Sequence, residues 1–582
     1  MPSTFAEMSI KWYLFFCFLI QLLESNAQKH DYNWILGTSH PKGDLLNFDN
    51  YSLSISPIDK TIPFYATNSC MSSTEGNLTF SFNGLQIQNP QHLLMDNTDS
   101  LQLGNAAILW SDLGASTNQG SLALPMSGQN NKYRLFYWDN KSFDLAPDTP
   151  YTSPRNLYMA IIDMNMNGGE GKVIEKNLLV LSDTFANGGI DAVKHANGRD
   201  WWVIIPKMTS NRYHTLLVSP YGIDTAFVQA SGVWWPPFAD LTTQSCFSND
   251  GLKFIRFSDE VGLQIFDFNR CSGLFNNPNL VPFEFNDGYF CGASISNNSR
   301  FAYVTDTRRA WQYDLTAADV ASTKTLIAEF DGFQNPYNCN FHIAQLAPDG
   351  KIYLNTWGGC KNLHVIEHPD RPGTACEFRQ HGISLFTYTE VGLPNMPNFR
   401  LGPMDGSKCD SLGIDNIPVA AFRHDSDSMT VEFTDLSYYE PSAWFWNFGD
   451  GTTSAQRYPS HTYQATGQYS VCLTVSNEYG TNTYCRVVLI GTSGTSEQTL
   501  ERIELFPNPS TEQLQVALPN DWHGTIRVTL SNSLGQVMNT ENLEATDGLI
   551  TIALGSLPNG LYVCQIATTG KKSLSGLFEV IR

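Results

Sequence analysis

Charge is scarce in this 582-residue chain, with only 16% Asp, Glu, Lys and Arg, and positive charge is scarcest. Thirty-five Lys and Arg face 56 Asp and Glu, a formal net charge of -21, which argues against binding through a nucleic-acid phosphate backbone. No Cys-x-x-Cys pair or His-x-x-x-His cluster suggests zinc, so no metal or cofactor is expected. No Gly-x-Ser-x-Gly elbow marks a serine hydrolase, no sialidase-type Ser-x-Asp-x-Gly-x-Thr-Trp box accompanies the turns, and no acidic pair has a convincing local motif. No catalytic residue can therefore be nominated. Long apolar runs are missing too. The stretch from Lys11 to Leu23 is too short for a membrane anchor, for which about 20 residues are needed. Followed by Ser25-Asn26-Ala27, it predicts a signal peptide over 1–27 and a mature chain starting at Gln28.

What is abundant points to β structure. Aromatics reach 12%, with 44 Gly and 29 Pro, and the length calls for two to four folding units. Eleven cysteines remain after the leader, and export favours disulfides over thiol chemistry. Around the turn Asn477-Glu-Tyr-Gly480 a symmetric hairpin places Cys472 opposite Cys485. A non-hydrogen-bonded pair there, with Cα atoms about 4.5 Å apart, lies within disulfide reach.

A polar turn followed by an aromatic or β-branched strand recurs through the first four hundred residues, beginning at Glu75, Asn130, Asn197, Asn249, Asn297 and Pro348. Between Gly198, Gly251, Ser299 and Gly350 the steps are 53, 48 and 51 residues, a propeller-blade period. Candidates for the outer strands recur at Gly262, Ala310 and Asn362, with one more candidate segment around Asn398-Phe-Arg-Leu401. About seven blades are expected over 28–415. The segments Lys194–Trp202, Gly262–Leu274, Ala347–Tyr353 and Asn398–Gly406 resemble the propeller region of large exported Bacteroidetes proteins. That resemblance implies a fold and no chemistry.

Trp444-Phe-Trp-Asn-Phe-Gly-Asp-Gly451, with His461-Thr-Tyr463 and Val471 to Asn477, resembles the polycystic-kidney-disease (PKD) domain, an immunoglobulin-type β-sandwich, over 416–491. The resemblance implies a spacer or stalk, with Trp446 and Phe448 in the core. A calcium or glycan contact near Asp425, Asp427 and Asp450 is the less favoured reading. A Gly/Ser/Thr-rich linker spans 492–500. Beyond it, Phe506-Pro507-Asn508-Pro509, Gly535 in Leu534-Gly-Gln-Val537, and Gly560 and Tyr562 in Asn559-Gly-Leu-Tyr562 resemble the C-terminal sorting domain of type IX secretion over 501–582, a β-sandwich. The resemblance implies export through that machinery, with release or surface attachment.

For ligands, Trp234-Trp-Pro-Pro-Phe238 offers Trp234, Trp235 and Phe238 on a loop stiffened by two prolines, suited to stacking on sugar rings or packing on a protein. The competing reading is that these rings close a gap between blades. His195, His214, His342 and His364 are acid-base candidates by residue type alone. The expected molecule is all-β, secreted or on the outer cell surface. Its head binds extracellular polysaccharide or protein, with a propeller hydrolase or lyase and a structural matrix component as alternatives.

Overall fold

A computed structural model describes residues 28–491 and 504–580, except 40, 102–111, 140–141, 147–148, 153, 238, 242, 284–289, 507–509, 519–521, 523, 533–536, 545–548, 556, 559 and 569–573. The expected leader and linker lie outside the described residues. The described residues form strands and short 3-10 turns without an α-helix.

Among the described residues, seven antiparallel sheets of three or four strands follow one another over residues 33–59, 69–88, 121–182, 191–230, 244–281, 292–329 and 344–389. In the last four sheets the strands pair strictly in chain order. First strands of successive sheets touch, as Gln244–Phe247 does with Gly292–Ile295 and the latter with Ala344–Leu346. This is propeller architecture, and it explains the composition. A second strand is covered on both faces by neighbouring sheets, so Trp201–Pro206 is buried at every residue and reads as a continuous apolar run. Trp201 and Trp202 point to opposite sides and are both core residues. The fourth strands form the rim, and Gly222–Ala230 is mostly exposed.

The sequence period is the period of one turn conformation. From the second sheet to the seventh, each turn between first and second strands needs a residue in the left-handed region, supplied by Gly76, Asn131, Gly198, Gly251, Ser299 and Gly350 at φ of 95, 62, 73, 72, 60 and 76°. The further strands beginning near Gly262, Ala310 and Asn362 are third strands of their sheets, not the outermost.

The ends of the propeller meet. Beyond Phe378–Thr389, residues 395–400 return beside the start of the chain: the Asn395 amide donates to Asn68 O, at the entry to the second sheet, at 3.1 Å, and the Phe399 ring lies 5.3 Å from His30, ahead of the first. Asn395 Nδ2 also donates to Ser121 O and Ile190 O, tying the returning segment to two more sheets.

The PKD sandwich pairs a three-stranded with a four-stranded sheet around Phe422, Phe433, Trp446, Phe448 and Leu473. Cys472 and Cys485 are joined across the adjacent strands Gly467–Asn477 and Gly480–Ile490, with Cα atoms 4.0 Å apart. Two further disulfides join Cys271 to Cys409 and Cys339 to Cys360. The sandwich is not a free stalk, because it belongs to the same compact unit as the propeller. Tyr32 and Tyr51 of the head form one buried cluster with Ala421 and Leu436 of the sandwich. Arg371 pairs with Glu432, and Arg423 Nη2 donates to Glu367 O at 2.6 Å.

A second unit holds the C-terminal residues. Two sheets enclose Leu514, Val516, Ile526, Val528, Ile552, Cys564 and Ile566.

Candidate functional site

From the second sheet onward, antiparallel order sends the first-to-second turns, and the third-to-fourth turns where present, to one end of the head, and the second-to-third loops and the loops between sheets to the other. The first sheet runs in the reverse sense, so its 37–41 turn lies at the second end and its Tyr51 turn meets Tyr438 at the first. The first end is closed. A cavity of about 90 Å³ in the channel is bounded there by Ser248, Asn249, Asn297 and Pro348 and by Leu436, Ser437 and Tyr438 of the PKD sandwich. That volume accommodates a few waters but falls far below the roughly 300 Å³ of a small-ligand site. Of its two carboxylates, Asp31 pairs with Arg400, and Asp191 is engaged by the amides of Ala192 and Phe247 at 2.7 and 3.0 Å, with burial pushing it up to about 7.

The opposite mouth is built from loops and carries the aromatic surface. Trp357 and Phe290 stack with ring centroids 3.3 Å apart and an interplanar angle of 15°, and the His342 ring stands 5.7 Å from Trp357. Two constraints hold this loop. Cys339 is bonded to Cys360, and the Trp357 amide donates to Asn340 Oδ1 at 3.0 Å. Gly359 has φ of +81°, and a β-carbon there would lie 3.0 Å from Glu390 Cγ, 3.5 Å from Tyr388 Cδ2 and 3.6 Å from Tyr337 Cδ2. A side chain at 359 would fill the space where the carboxylate and two rings converge. Tyr65 completes the group: burial raises its phenol, and the Glu390 charge adds to the shift. Burial likewise raises the Glu390 carboxyl. Thr243 and Thr356, fully buried in loops at this end, have side-chain oxygens with no hydrogen-bond partner among the described residues.

The aromatic loop reached from the sequence divides. Trp234 is 56% exposed, whereas Trp235 is 0% exposed, its ring 3.9 Å from the Arg256 guanidinium. Arg256 pairs in turn with buried Asp240, so Trp235 is part of the packing between sheets and is not open to a ligand. Phe238 lies outside the described residues. The sequence reading did not single out Glu390, Tyr65, Tyr337, Tyr388 or Trp357, which lie in separate segments; Trp357-Gly358-Gly359-Cys360 was the one local hint.

The four histidines are dispersed. His195 Nδ1 accepts from the Asn197 amide in a closed-end turn, and His214 Nε2 meets Asp183 at 2.9 Å. His364 accepts from the His381 amide and faces Asn340 O, and burial lowers it to about 4. His342 alone reaches the open mouth, where burial lowers it to about 3 and keeps it neutral. In the sandwich, Asp450 holds Thr452 and His461, the latter at 2.7 Å, and Asp425 faces Arg423 at 3.5 Å. Among the described residues no group of three or more His, Cys, Asp and Glu has metal-holding geometry.

In the C-terminal unit, Phe506 ends the strand Glu504–Phe506, and Gly560 begins Gly560–Ala567. Tyr562 is buried, with its ring stacked 5.7 Å from Phe578 and its hydroxyl donating to Pro558 O at 2.8 Å. Pro507, Asn508, Pro509 and Gly535 lie outside the described residues.

Residues 417–490 match the model of the PKD domain, and residues 504–577 match that of the secretion system C-terminal sorting domain. The PKD1 domain of Vibrio anguillarum Epp is 33% identical over 13% of this chain and 93% of its own, with a TM-score of 0.12. A putative 6-phosphogluconolactonase of Bacteroides fragilis is 10% identical over 62% of this chain and 97% of its own, with a TM-score of 0.36. The periplasmic gluconolactonase of Pseudomonas aeruginosa is 13% identical over 63% and 99%, with a TM-score of 0.33. No curated protein matches the chain. Among the described residues no helix is long and apolar enough to cross a membrane. With a PKD domain and this sorting domain behind a propeller head, the chain is a cargo protein of the type IX secretion system, handled by that machinery and exported to the cell surface or the extracellular space.

Proposed function

We propose that the propeller head is a binding module for extracellular polysaccharide, acting through its open mouth. One observation carries this reading: at the mouth that the PKD domain leaves free, a half-buried carboxylate lies beside Tyr337 and Tyr388 at Gly359, and the stack of Trp357 on Phe290 is built from the same loop, two residues before that glycine. Planar rings held by a disulfide and a backbone hydrogen bond stack on sugar faces at low entropic cost, while the carboxylate orients hydroxyl or amine groups. Trp234, exposed on a loop at the same end, extends the contact surface. The PKD domain then serves as a plug and support. Domain limits of 28–415 for the head, 416–491 for the PKD domain and 501–582 for the sorting domain complete the proposal.

A hydrolase or lyase is the second reading, favoured by the Glu390 carboxyl that burial raises toward a general acid. Screening the full chain against a polysaccharide panel, with product analysis in parallel, separates the two. Binding without product release supports a module, product release from any polymer supports the enzyme, and binding of proteins but no glycan overturns the polysaccharide reading.

A further inference from the structure

The identity of the bound group can be taken further, on the footing that the open mouth is the glycan surface. Glu390 is anchored through its backbone: its amide donates to Thr38 Oγ1 at 3.1 Å, and its carbonyl accepts from Asn355 Nδ2 at 2.9 Å. Among the described residues, its carboxylate forms no ion pair and accepts no side-chain hydrogen bond. A half-buried carboxylate without a counter-charge costs stability, and that cost is recovered when a cation arrives. The rings of Tyr337 and Tyr388 converge on the same point beside Gly359, and the neighbouring tyrosine is brought in by close packing of Gly392 on Tyr65 O, 2.6 Å from a β-carbon placed there. Aromatic faces are electronegative and attract ammonium groups within about 6 Å of the ring centroid. A carboxylate ringed by tyrosines is therefore a cage for an ammonium group. The formal net charge of the whole chain, -21, also attracts cations.

We infer that Glu390 with Tyr65, Tyr337 and Tyr388 recognises the protonated amine of an amino-sugar polymer, while the Trp357 and Phe290 stack takes the face of an adjoining sugar ring. The flat stack beside the cage favours a polysaccharide over a basic peptide, which offers no ring face to cover it.

The test is calorimetric titration of the full chain at pH 6 and low salt with three probes: a glucosamine hexasaccharide with free amines, its fully N-acetylated counterpart and a hexalysine peptide. The free-amine sugar is expected to bind at least tenfold more tightly than either of the others. Glu390→Gln, isosteric with the native residue, should reduce free-amine binding at least tenfold and leave the acetylated sugar unchanged. Tyr337→Ala, at a residue 59% exposed and so without a folding cost, should weaken the free-amine sugar in the same way. Equal binding of the two sugars, or an unaffected Glu390→Gln, overturns the amine assignment while glycan binding stands. Tighter hexalysine binding overturns the sugar assignment, and failure of every glycan overturns both this inference and the function on which it rests.

Discussion

Arg400 meets Asp31 through two parallel N–H···O bonds of 2.6 Å each, across 369 residues of chain. Both side chains are largely buried, and the pair ties the segment after the seventh sheet to the residues before the first. Removing one partner of such a pair leaves the other buried and uncompensated, at a cost of roughly 3–5 kcal/mol. Arg400→Leu should lower the unfolding free energy by about that amount, and Arg400→Leu with Asp31→Leu should recover part of it. Denaturant titration checks this. A loss under about 1 kcal/mol for the single variant means that ring closure rests elsewhere.

Trp234 and Trp235 are neighbours with opposite fates. Trp235→Ala should cost about 3–5 kcal/mol, because it removes a buried ring packed against Arg256. Trp234→Ala should stay within about 0.5 kcal/mol. Comparing the two unfolding midpoints tests the assignment, and equal costs would contradict it.

The PKD domain is seated on the head through Leu436, which lies against Gly350 and the Tyr32 and Tyr51 cluster. Head and sandwich should therefore unfold in one calorimetric transition, separate from that of the sorting unit. Leu436→Asp places a carboxylate in this seam at roughly 2–5 kcal/mol and should split the transition in two. Two transitions for head and sandwich in the unmodified chain would show that the sandwich is an independent stalk.

Acid should loosen the sandwich at a defined place. Burial alone would raise Asp450, but hydrogen bonds from Thr452 and His461 more than offset this and hold it down to about 2. The unfolded chain binds its proton near pH 3.9, so this group's stabilisation is complete above that pH and is lost as pH falls toward 2. Asp450→Asn should remove that part of the slope of stability against pH. An unchanged slope between pH 4 and 2 would show that Asp450 is not linked to folding.

The architecture was legible because one strained turn conformation recurs at a fixed step, and only Gly, Asn and a few polar residues supply it cheaply. Asn131 and Ser299 show how far that rule stretches. The strands were legible for a related reason: burial on both faces gives runs such as Trp201 to Ile205. The mouth was not legible. Glu390, Tyr65, Tyr337 and Trp357 come from four loops, and ring closure alone brings together residues more than 300 positions apart. Trp234 and Trp235 looked equivalent in sequence, since two adjacent rings on a loop carry no periodicity to say which one turns inward. Seating of the PKD domain was hidden similarly, because Leu436 reads as an ordinary sandwich residue until Gly350 is found beneath it.

The most direct test of the open mouth as the working surface is glycan-panel binding by the full chain and by Trp357→Ala, with both proteins shown to unfold at the same midpoint. The account predicts glycan binding by the parent chain and at least a tenfold loss in the variant, in line with about 0.5–1.5 kcal/mol from ring stacking together with the apolar area the ring buries. Undiminished binding by Trp357→Ala at unchanged stability would contradict it.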